Sequence, residues 1–184
     1  MKMSLNNYNK KRNFTLTPEP VVQQKQNNDK DNNDKGGRSS TIKLAFVVHK
    51  HYASHLHYDF RLELDGVLKS WAVPKGPSIN PLEKRLAVMV EDHPLDYKNF
   101  QGIIPEGNYG AGKVYIWDDG FYHALETQDR DKSTQIIRDG LEKGHITFIL
   151  EGEKLKGEFA LIRIKKGNPK NWLLIKKRDE FAGE

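Results

Sequence analysis

Four of the seven histidines in this chain fall within nine positions, in the run His49-Lys50-His51-Tyr52-Ala53-Ser54-His55-Leu56-His57. The run continues Tyr58-Asp59-Phe60-Arg61-Leu62-Glu63-Leu64-Asp65. Imidazole nitrogens and carboxylate oxygens are ligands for a divalent transition metal, and a guanidinium grips phosphate through paired N–H groups. His57 and Asp59 project side by side on one parity, and His51 can return from the preceding strand end as a third ligand. The expected site is therefore a three-ligand metal centre with Arg61 beside it, facing a phosphorylated substrate. The spacing does not choose among zinc, manganese and iron. An ordinary solvated strand face is the competing reading, but such a face carries Lys, Thr, Glu and Ser rather than His-x-His-x-Asp-x-Arg.

Other residues bear chemistry more weakly. Glu91-Asp92-His93-Pro94 is an ionisable cluster in which His93 can bind phosphate or protonate a leaving oxygen. Tyr97 can hydrogen-bond a phosphate oxygen. Lys75 and Arg85 flank a Pro/Gly-rich loop and can contact nucleic-acid phosphates. Taken singly, these also read as a loop histidine capping a carbonyl, a packed aromatic and surface charge. The glycine-rich stretch Pro105–Gly112 is neither a Walker loop nor a dinucleotide fingerprint, and reads as a tight barrel-rim turn.

The elements that must position these groups are mostly strands. From His55 to Asp65 ionisable and apolar residues alternate strictly, the period of a β-strand with two unlike faces. Ile42–Val48 precedes it, and Asp65-Gly66 is a hairpin turn leading into 67–73. Further strands are expected at 85–91, 113–117, 121–125, 145–150, 157–164 and 172–176, with a hairpin at Asp118-Asp119-Gly120. One amphipathic helix is expected over Ser133–Lys143, capped by Ser133 and stopped by Gly144. Some eight short strands joined by hairpins predict a mainly β, closed antiparallel barrel with one or two short flanking helices. Two arrangements fit the two-faced strand. Either the apolar face packs the core and the metal lies on an open sheet face, or the barrel has a polar lumen holding the metal. The spread of aromatics over many strands favours the polar lumen.

Composition bounds the rest. The chain has 184 residues and a net charge of +5, which favours an anionic partner. It has no cysteine, so disulfides, thiolate zinc sites and cysteine nucleophiles are excluded. No long apolar run occurs, so a soluble, cytoplasmic protein with no membrane partner is expected. Residues 1–20 form a basic arm containing Tyr8, Arg12 and Phe14. This arm is either disordered or packs its aromatics on the domain and brings Arg12 to an anion. Residues 21–40 read as a flexible polar linker, and residues 41–181 as the barrel domain.

Several phrases together resemble the 3′-phosphoesterase module of DNA ligase D, the bacterial and archaeal end-joining enzyme. They are Lys50-His51, Leu56–Glu63, Leu68–Pro77, Arg85–Val88, Glu91–Tyr97, Ile104–Gly107 with Tyr109-Gly110, and Asn171–Lys176. The Lys11-Arg12 to Pro20 segment resembles the family's arm. The resemblance implies an eight-stranded barrel with the active site inside and manganese-dependent trimming of DNA 3′ ends, with Co2+ or Zn2+ as alternative ions. It implies removal of 3′-terminal ribonucleosides, then of the 3′-phosphate, from DNA or RNA–DNA primer–templates. His51, His57 and Asp59 match the metal ligands. Arg61, His93 and Tyr97 match the phosphate-handling residues, with Lys75 and Arg85 as secondary contacts. Arg12 and Glu19 match arm positions used in the ribonuclease step. Asn13 stands where the family has Asp, and His55 where it has Arg. The sequence matches no polymerase or ligase module, so a stand-alone member is expected, with a ligase, a polymerase and a Ku-type end binder in trans. Two rivals are a cupin-type metal oxygenase and a non-catalytic DNA-end-binding module. A cupin expects Glu where Arg61 stands, and a pure binder leaves the metal cluster without a purpose.

Overall fold

The two-faced pattern of the central strand sets the architecture. The structure, a computed structural model, describes residues 5–22 and 43–183. The chain runs α1 (Leu5–Lys10), β1 (Leu44–Tyr52), β2 (Leu56–Leu64), β3 (Val67–Val73), β4 (Lys84–Met89), β5 (His93–Pro94), a 3-10 turn (Leu95–Asn99), β6 (Gly102–Ile104), β7 (Gly112–Ala124), α2 (Arg130–Lys143), β8 (His145–Gly152), β9 (Lys156–Arg163) and β10 (Asn171–Lys176). Antiparallel pairing follows the order β1-β2-β3-β4-β10-β9-β8-β7, and β7 pairs back onto β1. This closes an eight-stranded barrel, with β5 added beside β3 and β6 beside β7. The linker expected over residues 21–40 lies almost wholly outside the described residues.

Local sequence explains the joints. Asp65 and Gly66 both take positive φ, 52° and 77°, as the tight β2–β3 hairpin requires. The hairpin expected at Asp118-Asp119-Gly120 does not form, because 112–124 is one long strand. Its register against β1 shifts between Val48 and His49, where Val48 faces Asp118 and His49 faces Ile116. Trp117 is thus the extra residue of a bulge. The turn-like residues serve a different turn: buried Asp118 accepts backbone N–H groups from Glu153, Lys154 and Leu155 at 2.8–3.1 Å. The helix also starts earlier than expected. Asp129, not Ser133, is the N-cap, accepting from the Lys132 amide, while Gly144 ends the helix with φ 83° as expected. Ser133 is buried and its hydroxyl accepts from the Ala124 amide.

The polar-lumen expectation is overturned. Phe46, Phe60, Trp71, Tyr122, Phe148, Phe159 and Trp172 form one buried cluster with aliphatic residues of the same parity. Phe60 on β2 stacks on Phe148 of β8 at 6.1 Å, although the two strands are not neighbours in the ring. The aromatics therefore fill the lumen, which is too narrow in an eight-stranded barrel to hold them alongside a wet polar site. The alternating partners of β1 and β2 point outward. A second layer covers them: Tyr8, Leu68, Tyr97, Phe100, Ile104 and Val114 form a separate buried cluster, with Phe14 packed against it. The arm is therefore ordered over residues 5–22 and docks on the outer wall.

Candidate active site

Strand register delivers the candidate ligands. His51 faces His57 across the β1–β2 ladder, and His49 faces Asp59. His51, His57 and Asp59 present ligand atoms that all lie within 4.8 Å of one another. His51 Nδ1 is 3.5 Å from Asp59 Oδ2, and His57 Nε2 is 3.6 Å from Asp59 Oδ1. The remaining ring nitrogens are tied down. His51 Nε2 donates to the Gly110 carbonyl at 2.8 Å, and His57 Nδ1 donates to the His55 carbonyl at 3.0 Å. A carbonyl only accepts, so the outer nitrogen of each imidazole carries a proton, which leaves the nitrogen nearer Asp59 as the one able to ligate a metal. Two oriented imidazoles and a carboxylate suit a divalent transition metal, whose ligand atoms at about 2.1 Å would stand about 3–3.5 Å apart.

Arg61 sits against this cluster with every nitrogen engaged. Nη2 is 3.2 Å from Asp59 Oδ2, Nε donates to His49 Nδ1 at 3.3 Å, and Nη1 donates to Ser70 Oγ at 2.8 Å. Its guanidinium also lies over the Tyr97 ring, 4.9 Å from the centroid. Burial alone would raise the Asp59 carboxyl, but Arg61, then His51 and His57, overcome this and hold it well below the usual carboxylate range. His49 is lowered to about 3 by burial and by the Arg61 charge, so it stays neutral and can accept.

The arm and the segment after β4 close over Arg61. Arg12 donates from Nε to Glu19 Oε1 at 2.8 Å, and its Nη1 is 3.4 Å from Glu91 Oε1. Its Nη2 reaches His93 Nε2 at 3.4 Å. His93 Nδ1 donates to the Glu91 carbonyl at 2.9 Å, and Tyr97 donates its hydroxyl to Glu19 Oε1 at 3.1 Å. Burial, then the Arg61 and Arg12 charges, push His93 well below its ordinary value, and burial first of all raises Tyr97. A neutral imidazole therefore faces Arg12 with its Nε2 lone pair, and the phenol keeps its proton.

The family model for the DNA ligase D 3′-phosphoesterase domain matches residues 49–163, from the first histidine of the cluster to the end of β9. The chain belongs to this family. A multifunctional non-homologous end joining protein LigD from Pseudomonas aeruginosa is 51% identical over 176 residues, covering 95% of this chain and 19% of that protein. Its counterpart from Mycolicibacterium smegmatis is 43% identical over 96% of this chain and 21% of its own length. The Mycobacterium tuberculosis protein, a multifunctional non-homologous end joining DNA repair protein LigD, is 41% identical over 92% of this chain and 19% of its own. The chain thus spans about a fifth of these relatives.

In this member of the phosphoesterase-domain family, eight of the ten expected site residues gather in one place: His51, His57, Asp59, Arg61, His93, Tyr97, Arg12 and Glu19. Lys75 and Arg85 do not join them. They line, with Pro74, Glu83, Lys84 and Leu86, a separate cavity of about 360 Å³ beside the β3–β4 connection, and Arg85 pairs with Glu83. Sequence reasoning missed His49, Ser70 and the Gly110 carbonyl, which hold Arg61 and His51. His49 shares a parity with His51, which was a usable signal. Ser70 and Gly110 carried none. Asn13 uses its side-chain oxygen to accept from the Thr15 amide and hydroxyl, closing a local turn in the arm.

Proposed function

We propose that this chain is a metal-dependent phosphoesterase that trims DNA 3′ ends. In this reading it removes 3′-terminal ribonucleosides as a phosphodiesterase and 3′-phosphates as a monoesterase, leaving a 3′-OH for repair. The observation that carries it is the convergence of two imidazoles, a carboxylate and a guanidinium on one patch of β1 and β2.

His51, His57 and Asp59 would hold a divalent ion, manganese in this proposal with Co2+ or Zn2+ as alternatives. When bound, such an ion polarises a phosphate oxygen and makes water a better nucleophile at neutral pH. Arg61 spends three of its five N–H groups on Asp59, His49 and Ser70, which fixes the guanidinium plane. The other two remain for phosphate oxygens, where a preorganised cation stabilises charge developing at phosphorus. Tyr97, protonated throughout, adds an O–H donor once it releases Glu19. His93 has Nδ1 tied to a carbonyl and carries no proton on Nε2. It therefore acts as a positioning acceptor for Arg12 unless substrate displaces that contact. A role for His93 as general acid needs that displacement first.

Arg12 and Glu19 bring the arm to the same pocket, which is where a 2′-hydroxyl beside the scissile phosphate would be read. The proposed setting is cytoplasmic end joining, with a ligase, a polymerase and a Ku-type end binder acting in trans on the same DNA ends. No described helix is long and apolar enough to cross a membrane. The test is product analysis on a primer–template carrying one 3′ ribonucleotide or a 3′-phosphate, with and without manganese. Conversion to a 3′-OH is expected with the ion. Unchanged 3′ ends would refute the assignment.

A further inference from the structure

The strands that carry the ligands have a second face at the same tip. Side chains alternate along a strand, so the residues between the ligands project to the opposite side. Register places Lys50 opposite both Tyr58 and Tyr115, and Tyr52 opposite Leu56 and Lys113. Lys50, Tyr52, Leu56, Tyr58, Lys113 and Tyr115 thus share the face turned away from His51 and Asp59. Beyond the filled lumen this face opens: Tyr52, Leu56 and Tyr115 are 44%, 45% and 47% exposed.

The rings are held, not loose. Tyr52 and Tyr115 meet edge to face at 6.1 Å, and Tyr58 meets Trp117 at 5.4 Å. Ammonium groups sit over them, with Lys50 Nζ 5.2 Å from the Tyr52 centroid and 5.8 Å from that of Tyr58, and Lys154 Nζ 5.7 Å from that of Trp117. Exposed Lys75 is carried by a loop that lies against Tyr58, because a Cβ at Gly76 would stand 3.0 Å from the Tyr58 ring. Exposed π faces interleaved with ammonium groups match the bases and phosphates of an unpaired strand. A purely apolar partner would leave those lysines desolvated.

We propose that this face binds single-stranded nucleic acid, namely the template overhang running past the 3′ end. Bases stack on Tyr52 and Tyr115, and phosphates meet Lys50, Lys113 and Lys75. The proposal rests on reading the metal face as the place where the 3′ end is held. The two faces are separated only by the thickness of one sheet, and the β1–β2 turn between them is three residues long. An overhang can therefore pass round the tip. The placement also gives Lys75 a role away from the metal.

The test is fluorescence anisotropy with a labelled primer–template bearing a 5′ overhang and with the same duplex made blunt, divalent ions being chelated so that no ends are cut. The pair Tyr52→Ser with Tyr115→Ser should weaken overhang binding about tenfold or more and leave the blunt duplex unchanged. Tyr52→Phe with Tyr115→Phe should keep the parental affinity, since the ring stacks without its hydroxyl. Equal weakening of both substrates, or no weakening, overturns the proposal. So does a shift in sedimentation of the Ser pair with affinity unmoved, which would make the face a contact between copies. Because no turnover is involved, the two failures are distinguishable: unprocessed ends in the product assay refute the enzymatic reading, whereas equal or absent weakening here refutes the overhang face.

Discussion

The two faces of β1 and β2 are built from interleaved residues and obey opposite economics. Inward, Phe46, Val48, Phe60 and Leu62 are held by apolar area alone. Outward, His49, His51, Asp59 and Arg61 are nearly as buried, yet each is held by a partner of complementary charge or lone pair. Apolar packing tolerates small adjustments, whereas a buried charge network is costly once one member is lost. His57 is the outer member that can be lost most cheaply, since it is partly exposed and Asp59 keeps His51 and Arg61 as partners, so its loss should cost activity more than stability, and the following measurements can separate the two faces.

The largest effect is expected from His57→Ala. Activity on a 3′-phosphate end should fall by about 10³-fold or more, with divalent uptake lost and thermal unfolding little changed. A fall in activity matched by a collapse of unfolding temperature would mean that the outer face is structural after all. The mirror experiment is Phe148→Ala, which opens a cavity in the lumen. Denaturant unfolding should show a loss of about 3–5 kcal/mol, while metal uptake by the surviving folded fraction is unchanged.

Next comes the arm. Arg12→Ala leaves Glu19 and Glu91 facing a buried gap, and undocking lets both rehydrate. Docking of residues 5–22 should weaken by up to about 3 kcal/mol, read as faster amide exchange confined to the arm. A milder handle is pH. Burial raises the Glu91 carboxyl, but the Lys11 hydrogen bond and the Lys11 and Arg12 charges outweigh it, so the docked value lies below the ordinary 4.5. A depressed carboxyl stabilises the docked state above about 4.5, and that stability drains as pH falls through the lowered value. Arm protection, measured relative to intrinsic amide exchange at each pH, should thus be high at pH 7 and drop in acid, with Glu91→Gln flattening the dependence. The smallest effect is expected at Asp65, paired with Arg138 on the surface. Asp65→Asn keeps a residue that accepts positive φ and should leave the thermal midpoint within experimental scatter.

Much of this was legible before any coordinates. Strict alternation from His55 to Asp65 gave the strand and its two faces, and Asp65-Gly66 gave the hairpin. The candidate metal cluster followed from His57 and Asp59 on one parity with His51 at the end of the preceding strand, and the fold brings their ligand atoms within 4.8 Å. The misreadings have physical causes. Asp118-Asp119-Gly120 looks like a turn, but Asp118 spends its carboxylate capping the 152–155 turn, a partner 35 residues or more away. Ser133 looks like an N-cap, but Asp129 was better placed by one turn. Lys75 and Arg85 lie apart from the other expected site residues, beside the β3–β4 connection, a placement that their positions in the sequence do not encode.

The sequence by itself determined which residues share a face, because alternation along a strand is local. It also supplied the candidate ligand types, the Asp65-Gly66 turn and a basic arm with buried-type aromatics. Only the tertiary structure decided which face turned inward. Both faces bury well, one by area and one by pairing, and the choice depends on barrel closure and on the second layer formed by the arm and residues 91–104. The same closure carried Gly110 to His51 and Arg12 to His93. Those contacts bridge segments 59 and 81 residues apart, and no local pattern encodes them.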